Sequence, residues 1–288
     1  MEITVIMTVY NGSAFLAEAI RSVIGQTAPP SEFIIADDGS TDDSAQIAES
    51  YASSNPQFPI RVLRFPHRGV CAARNAVLRE VKSEWLFNLD ADNRIDPDFL
   101  EKITAFVSAR SDDPKFAFAY PDRVTFGEYT QLRKAEDFEI EKFKTRNLAD
   151  SNSAMRTDLV RSFGFDPEFD KGWQDYDLFL SMSRAGYRGA AFRSSPLRYR
   201  IHRGSKTAQN DRSELMRKMT EKHKGFWTNE EAEKIRAEYS PEAMLRFRLF
   251  ELLWAKRYGA MILFALKCLF FKPRVFFSKN GIPKLFKK

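Results

Sequence analysis

The stretch WLFNLDADN, residues 85–93, decides the fold of this 288-residue chain. Its apolar residues run without alternation, which is typical of a strand buried on both faces of a parallel sheet. If strand geometry persists to the end of the stretch, Asp90 and Asp92 point to the same side, because side chains alternate with a period of two. Two carboxylates at the carboxyl end of a central parallel strand lie where open α/β sheets bind their ligands.

Asp90 and Asp92 offer hard oxygen donors, which suit Mg²⁺ or Mn²⁺ when the phosphates of a substrate complete the coordination shell. The alternative is an ordinary polar exit from a strand, since Asp and Asn favour turns. An Asp-x-Asp pair is common in proteins, so the rest of the chain must decide between a metal site and a turn.

The segments before this stretch alternate between strand and helix patterns. The predicted strands are residues 2–10, 32–36 and 60–65. The first predicted helix runs from residue 13 to about 26, the second follows the turn at 37–43 and ends at about 53, and the third runs from 69 to about 81. This alternation predicts βαβ units with right-handed crossovers and a parallel sheet. Residues 1–92 are therefore predicted to form the nucleotide-binding half of a doubly wound α/β fold.

The pattern changes after residue 92. The predicted elements are a helix over 97–109, a strand over 116–120, a polar and weakly patterned stretch over 121–150 and a strand over 197–202. Helical patterns dominate from residue 214 onward. We expect one catalytic domain over residues 1–205, whose second half is 93–205, and a basic, aromatic helical extension over 206–288.

The composition bears on disulfide bonds, zinc sites and the cellular location of the protein. The two cysteines lie far apart and show no disulfide framework, and the three histidines form no zinc pattern. A strand-like segment begins directly after Met1, so we expect no signal peptide and a cytoplasmic location. The net charge of +6 is uneven, because residues 241–288 hold eleven Lys or Arg against two Glu.

In residues 241–288 the cations are interleaved with Phe, Leu and Ile. The best uncharged run, 258–266, is far shorter than the roughly 20 residues that span a bilayer. The pattern suits a helix lying on an anionic membrane surface and predicts peripheral contact with the inner face of the cell membrane. The alternative is a helical cap packed on the preceding domain. Nucleic-acid binding fits less well because large apolar side chains are abundant.

Six motifs follow one another along the chain. They are TVYN at residues 8–11, DDGSTD at 37–42, GVCAARN at 69–75, DAD at 90–92, WQDYDL at 173–178 and YRIH at 199–202. In this order they resemble the motifs of family 2 glycosyltransferases with the GT-A fold, of the bacterial cell-surface glycan type, over about residues 2–205. The chain contains neither a G-x-G-x-x-G dinucleotide fingerprint nor a P-loop motif.

The resemblance implies a Rossmann-like mixed sheet flanked by helices and an inverting, metal-dependent transferase. Such an enzyme would move a hexosyl or N-acetylhexosaminyl group from a nucleoside-diphosphate sugar, UDP-sugar by preference, to a hydroxyl of a glycan or lipid-linked acceptor. The residues expected to contact the nucleotide at the first strand are Thr8, Val9, Tyr10 and Asn11. A base could rest against Tyr10, although an ordinary strand-to-helix turn is the alternative.

Further donor contacts follow from the same resemblance. It implies that Asp38 accepts from a base N–H, while Ser40 or Thr41 is expected to cap the second helix. Gly69 permits close approach of the backbone to a ligand, and the helix N-terminus after it favours a phosphate. Arg74 is implied in the nucleotide site, with a surface arginine as the alternative.

The resemblance also assigns the metal ligands and the base. Asp92 is the main metal ligand, Asp90 contacts metal or ribose, and His202 is a third ligand, a diphosphate contact or a structural histidine. Asp175 is the general base that accepts the proton of the acceptor hydroxyl. Asp177 is expected to face away from Asp175 and to make a structural salt bridge or hydrogen bond. Trp173 could stack on a sugar face or belong to the core.

Gln174 departs from the family pattern, where Glu is common, and an amide cannot act as a base. Two other functions therefore stay open. One is a catalytically silent nucleotide-sugar-binding protein, which Gln174 makes plausible. The other is a nucleotidyltransferase, but residues 11–14 lack the glycine-rich basic loop expected there.

Overall fold

The computed structural model describes residues 1–202 and 211–244, and this part of the chain contains one mixed sheet of eight strands. The strands are β1 (Ile3–Val9), β2 (Glu32–Asp37), β3 (Ile60–Arg64), β4 (Trp85–Asn88), β5 (Phe116–Gly127), β6 (Leu132–Arg133), β7 (Ala154–Arg156) and β8 (Arg188–Ile201). Their order across the sheet is β3-β2-β1-β4-β7-β5-β6, and β8 pairs with β5.

Helices flank this sheet. They are α1 (Ser13–Ile24), α2 (Ser44–Ser54), α3 (Val70–Leu78), α4 (Phe99–Ser108), α5 (Ile140–Thr145), α6 (Thr157–Phe163) and α7 (Gln174–Arg184), with a short 3-10 helix at Pro167–Phe169. The predicted α/β class with a mixed sheet flanked by helices is confirmed.

Strands β1 to β4 are parallel, as the alternation of patterns predicted. Apolar side chains of these strands pack with those of α1 and α4 in one core that includes Val5, Leu16, Phe87 and Phe99. Burying each such side chain contributes about 1.5–3 kcal/mol. The register sets Val9 beside Asp37, so the carboxyl ends of β1 and β2 meet at one edge of the sheet.

The end of β4 bears on the orientation of Asp90 and Asp92. The strand stops at Asn88, and a turn follows in which the N–H of Asn93 donates to the carbonyl of Asp90 at 3.0 Å. Asp90 and Asp92 thus lie in this turn, and strand alternation does not determine their directions. The condition under which both carboxylates would point to the same side is therefore not met.

The second half of the sheet mixes directions. β7 is antiparallel to β4 and to β5, whereas β8 is parallel to β5. Both β5 and β8 are longer than predicted, and β5 extends into the stretch that looked unpatterned. A register shift between Pro121 and Arg123 interrupts the alternation of β5, which explains why the sequence pattern is weak there.

Packing divides the chain into two compact units, Met1–Asn210 and Asp211–Lys288. The described helices of the second unit are α8 (Arg212–Lys222) and α9 (Asn229–Glu238). α9 begins with a capping box between Thr228 and Glu231. No helix in the described part of the chain is long and apolar enough to cross a membrane. The predicted boundary at 205/206 and the amphipathic segment beyond 244 lie outside the described residues.

Candidate active site

Three of the six motifs lie at the carboxyl ends of β1, β2 and β4. The loop after β1 is held by Asn11, which has a positive φ of 51°. Its side-chain oxygen accepts from the N–H of Thr41 at 2.8 Å, and its own N–H donates to the hydroxyl of Ser40 at 3.0 Å. Helix α2 begins at Ser44, whose N–H donates to Asp42, so neither Ser40 nor Thr41 caps it, and the predicted capping role is wrong.

Asp42 stabilises the starts of two helices instead. Its carboxylate accepts from the N–H of Ser13 and from the N–H of Ser44, each at 3.0 Å and each the first residue of its helix. Burial alone would raise the pKa of Asp42, but these hydrogen bonds and that of the Ser44 hydroxyl lower it to about 2. This carboxylate therefore stays ionised and joins α1 to α2.

An exposed aromatic pair borders the same loops. Tyr10 is 44% exposed and stacks on the His67 ring at 3.8 Å between centroids and 12° between planes. Nδ1 of His67 lies 2.8 Å from a carboxylate oxygen of Asp38. Sequence reasoning missed His67, because its partners precede it by 29 residues or more.

Asp38 is 3% exposed and ties the loop after β2 to the segment before α3. Besides His67, it accepts from the N–H groups of Arg68 and Gly69, both at 3.0 Å. At the end of β1, the carbonyl of the buried Val9 accepts from the N–H of Asp38, whereas Thr8 pairs with Ala36. These contacts make Asp38 a fixed part of the loop floor.

The N-terminus of α3 corrects a second expectation. Asp170 accepts from the N–H of Cys71 at 2.9 Å, so a protein carboxylate occupies the position that the sequence offered to a phosphate. Gly69 has a φ of 96°, and a Cβ on it would lie 2.4 Å from an oxygen of Asp170. Gly69 is required for this internal contact, and the expected phosphate site at this helix N-terminus is wrong.

Asp90 is half-buried and forms a cluster with the buried Arg74. One carboxylate oxygen accepts from Nη2 of Arg74 at 2.7 Å, and the other accepts from the hydroxyl of Ser151 at 2.8 Å and from Nδ2 of Asn152 at 2.9 Å. Arg74 is 2% exposed, which excludes the surface alternative, and its Nε and Nη1 are buried without a hydrogen-bond partner. Ser151 and Asn152 were missed, although the polar run before β7 is a signal for them.

Asp92 and His202 face each other, with Nε2 of the histidine 3.2 Å from a carboxylate oxygen. Burial raises the pKa of Asp92, and the charge of Asp90 raises it further. The described residues contain no group of three or more His, Cys, Asp or Glu that could bind a metal ion. The predicted set of Asp90, Asp92 and His202 is therefore not assembled, since both oxygens of Asp90 are directed to Arg74 and its neighbours.

The remaining pair still fits a divalent cation. Carboxylate oxygen and imidazole nitrogen are ligands that Mn²⁺ accepts, and Mg²⁺ is also held by few protein ligands plus substrate phosphates. The charged form of Asp92, whose pKa is raised despite the contact with His202, would be favoured by the added positive charge of a cation. Asp92 and His202 could thus supply two ligands to such an ion and would leave the rest of its coordination shell to other groups.

Arg200 fixes this pair from behind. Its Nε donates to the carbonyl of Asp92 and its N–H donates to the side chain of Asn93, both at 2.9 Å. Its guanidinium also pairs with Glu18, and Arg94 pairs with the same carboxylate. Burial alone would raise the pKa of Glu18, but the two guanidinium groups outweigh it and lower the pKa.

Asp175 lies in the first turn of α7, after Trp173, whose φ of 65° is left-handed. It is partly exposed, and Nδ2 of Asn147 donates to it at 3.3 Å. Burial raises its pKa to about 6, and the charge of Asp150 adds to the rise. Asp177 is 1% exposed, so the two carboxylates do face different sides of the helix, as expected.

The two neighbours of Asp175 in the WQDYDL motif differ in their contacts. Trp173 is half-buried and packs edge-on to Tyr176 at 5.8 Å between ring centroids. Oε1 of Gln174 is buried without a hydrogen-bond partner. A buried amide oxygen without a donor costs about 1–3 kcal/mol, so this position is not optimised for stability.

Comparison with known proteins identifies the family. The model of glycosyl transferase family 2 matches residues 4–165, more than half of the chain, and the chain belongs to this family. It is 32% identical over 101 residues to the putative glycosyltransferase EpsH of Bacillus subtilis, which covers 35% of this chain and 29% of that protein. It is 25% identical over 193 residues to the chondroitin synthase of Pasteurella multocida, covering 64% and 19% respectively. The chain thus spans less than a third of either relative.

Solved structures show the same fold. TarS residues 1–349 of S. aureus, in complex with UDP-GlcNAc, superimposes with a TM-score of 0.65 at 18% identity, covering 83% of this chain and 71% of that one. The mannosyltransferase PcManGT of Pyrobaculum calidifontis, in complex with GDP-Man and Mn²⁺, gives 0.62 at 17% identity, covering 94% and 81%. The chain has the GT-A fold.

Proposed function

We propose that the protein is an inverting glycosyltransferase that moves a sugar from a nucleoside-diphosphate sugar to a hydroxyl of a glycan or lipid-linked acceptor in cell-surface polysaccharide synthesis. The observation that carries this proposal is Asp175, a partly exposed carboxylate with a pKa of about 6. Its electrostatic neighbours include Arg74 and Asp90, which belong to the motifs of the donor half. A base with such a pKa is largely ionised at neutral pH and can still accept a proton.

The donor is a UDP-sugar in this proposal, since the similar TarS structures hold UDP and UDP-GlcNAc. The uracil ring of the donor would rest on one face of the exposed Tyr10 ring, whose other face stacks on His67. Asp38 Oδ1 accepts one N–H and retains a lone pair for a base N–H. The backbone of Thr8, Val9 and Asn11 would border the base and ribose.

Asp92 and His202 would hold Mn²⁺ or Mg²⁺, and the ion supplies charge neutralisation of the diphosphate leaving group. Arg74 supports the same end of the donor. Its Nε and Nη1 have no partner although they are buried, and a sugar or phosphate oxygen would satisfy them. Asp90 orients this guanidinium through the contact to Nη2 and borders the ribose.

Asp175 would take the proton of the acceptor hydroxyl while that oxygen bonds to the anomeric carbon and the bond to the nucleoside diphosphate breaks. One displacement of this kind inverts the anomeric centre. Gln174 cannot replace Asp175, because an amide does not accept a proton at neutral pH. The alternative of a silent nucleotide-sugar-binding protein predicts donor binding without turnover.

The test is a panel of nucleotide sugars, scored for thermal stabilisation and for nucleotide release with and without Mn²⁺. We expect UDP-sugars to stabilise the protein most and to be turned over in the presence of metal. Stabilisation without any nucleotide release, with acceptor glycans present, would favour the silent binding protein. If no nucleotide sugar stabilises the protein, the proposed function is wrong.

We also propose that residues 241–288 hold the protein on the inner face of the cell membrane. The support is their composition, with eleven cations among large apolar side chains. The full chain should then sediment with anionic vesicles at low salt and be released at high salt, whereas a variant ending at Ser240 should not sediment. Equal sedimentation of both proteins would assign the segment to a packed helical cap.

A further inference from the structure

A basic cleft of about 310 Å³ lies beside the proposed base. It is formed by the middle of β5, the segment around β6 and the loop that precedes β7. Its charged lining residues are Arg123, Arg133, Lys134, Glu136, Arg146 and Asp150. The four cations outnumber the two carboxylates, so the lining has a net charge of +2.

Two of the four cations form ion pairs within the lining, and the other two do not. Arg123 contacts Asp150 at 2.8 Å, and Arg146 contacts Glu136 at 2.7 Å, so each carboxylate of the lining already has a cation. Arg133 and Lys134 are exposed, and neither takes part in an ion pair with any residue that the structure describes. The excess charge of the cleft therefore belongs to two adjacent side chains.

The cleft is connected to Asp175 through one of its lining residues. Asn147 lines it, and the Nδ2 of this residue donates to Asp175 at 3.3 Å. Asp150 also lines the cleft and is the charged group that contributes most to the raised pKa of Asp175. A molecule seated there would place its hydroxyl groups near the base.

We infer that the cleft binds the acceptor and that this acceptor is anionic, with a phosphate or a carboxylate close to the reacting hydroxyl. The inference rests on the proposed function and specifies its second substrate. A planar guanidinium binds carboxylate and phosphate through two parallel hydrogen bonds, and an ammonium adds a point charge. A cleft for a neutral glycan gains nothing from two adjacent cations without partners.

The experiment uses three disaccharide probes that differ in one substituent: a neutral one, one with a uronic acid and one with a phosphate monoester. Binding to the full chain is measured by calorimetry with and without saturating UDP. We expect at least one anionic probe to bind about tenfold tighter than the neutral probe, because one added ionic contact of this kind is worth about that much. The better of the two identifies the anion.

The test variant is Arg133→Glu combined with Lys134→Glu, which should abolish the preference and leave the Kd for UDP unchanged. The matched control is Arg79→Glu combined with Lys82→Glu, which changes the charge equally at exposed positions near the opposite edge of the sheet. The control should keep the preference.

Equal binding of the three probes to the unaltered protein would overturn the inference, and so would a preference that survives the test variant. Anionic probes that bind only without UDP would show that the cleft belongs to the donor, which also overturns it. Failure of the proposed function is a separate result. In that case no nucleotide sugar binds, whatever the probes do.

Discussion

Two sets of carboxylates lie at the same edge of the sheet and differ in what surrounds them. The loop carboxylates are Asp38, Asp42 and Asp170, and the site carboxylates are Asp92, Asp150 and Asp175. Each loop carboxylate accepts from backbone N–H groups of another segment. In each site carboxylate, burial raises the pKa, and a neighbouring carboxylate raises it further.

The contrast separates carboxylates that build structure from carboxylates that are available for chemistry. A carboxylate bonded to backbone N–H groups is stabilised in its charged form, as the lowered pKa of Asp42 illustrates. A buried carboxylate close to another one is destabilised in that form and gains from a cation or a proton. Substitutions in the two sets should therefore affect different measurements.

The largest effect is expected from Asp175→Asn, which keeps the shape of the side chain and removes the proton acceptor. Transfer should fall by roughly 10²–10⁴-fold, while nucleotide affinity should hardly change. The melting temperature at pH 8 should not fall, because the variant has no buried charge to accommodate. Steady-state kinetics, calorimetry and thermal unfolding measure the three quantities.

The control for this variant is Asp158→Asn, another carboxylate in the first turn of a helix, which pairs with Arg156 on the surface. It should retain turnover. Near-normal turnover of Asp175→Asn together with loss of activity in Asp177→Asn would show that the wrong carboxylate has been assigned as base.

Asp92→Ala should abolish the dependence of nucleotide affinity on Mn²⁺ and reduce transfer by about 10²-fold, since one hard oxygen ligand is removed. The measurement is titration of UDP with and without Mn²⁺. Asp112→Ala, at an exposed position, serves as the control. An unchanged effect of Mn²⁺ on UDP binding in Asp92→Ala would contradict the assignment of Asp92.

The pH profile offers a test with a smaller effect. In its proposed role Asp175 acts in its ionised form, and its pKa is about 6, so kcat/KM should fall about tenfold for each pH unit below 6. Asp150→Asn removes the main repelling charge and should move this acidic limb to lower pH. Asp158→Asn should leave the limb in place. If Asp150→Asn leaves the acidic limb of the pH profile unchanged, the charge of Asp150 does not affect the pKa of the base.

The ionisation of Asp175 has opposite effects on activity and on stability as the pH rises. The folded pKa of Asp175 lies above its unfolded value, so its contribution to stability is present below pH 3.8 and is lost as pH rises through 6. Asp42 has the reverse behaviour, because its folded pKa of about 2 lies below 3.8. Its contribution is present above pH 3.8 and is lost as pH falls through 2.

The smallest effect is expected from Asp42→Ala, which removes a contact to the first residues of α1 and α2. A lost helix cap costs about 1 kcal/mol, which lowers the melting temperature by roughly 2–4 °C in a protein of this size. Transfer measured at 25 °C should stay near normal. A large loss of transfer with an unchanged melting temperature would place Asp42 among the site carboxylates.

The sequence was sufficient to predict the first half of the fold and to predict which loops lie close together. Buried apolar runs such as β1 and β4 have a clear pattern, and parallel strands bring their carboxyl ends together. It was not sufficient for β5, because the register shift near Pro121 breaks the alternation on which strand prediction depends.

The partners of individual carboxylates were also beyond sequence reasoning. Asp38 is bonded to residues about 30 positions later, and Asp170 to Cys71, 99 positions earlier. Spacing in the sequence carries no information on such long-range contacts. For that reason the phosphate site before α3 and the three-residue metal set were expected and were not found in the described residues.

The contact between Gly69 and Asp170 has a consequence for engineering this protein. Any side chain at position 69 would collide with the carboxylate of Asp170, and any loss of that carboxylate would leave the N–H of Cys71 without its acceptor. A library randomised at position 69 alone should yield only glycine among well-folded clones. One randomised at both positions should still recover glycine at 69, because its φ of 96° strains any other residue even when a small side chain at 170 removes the collision.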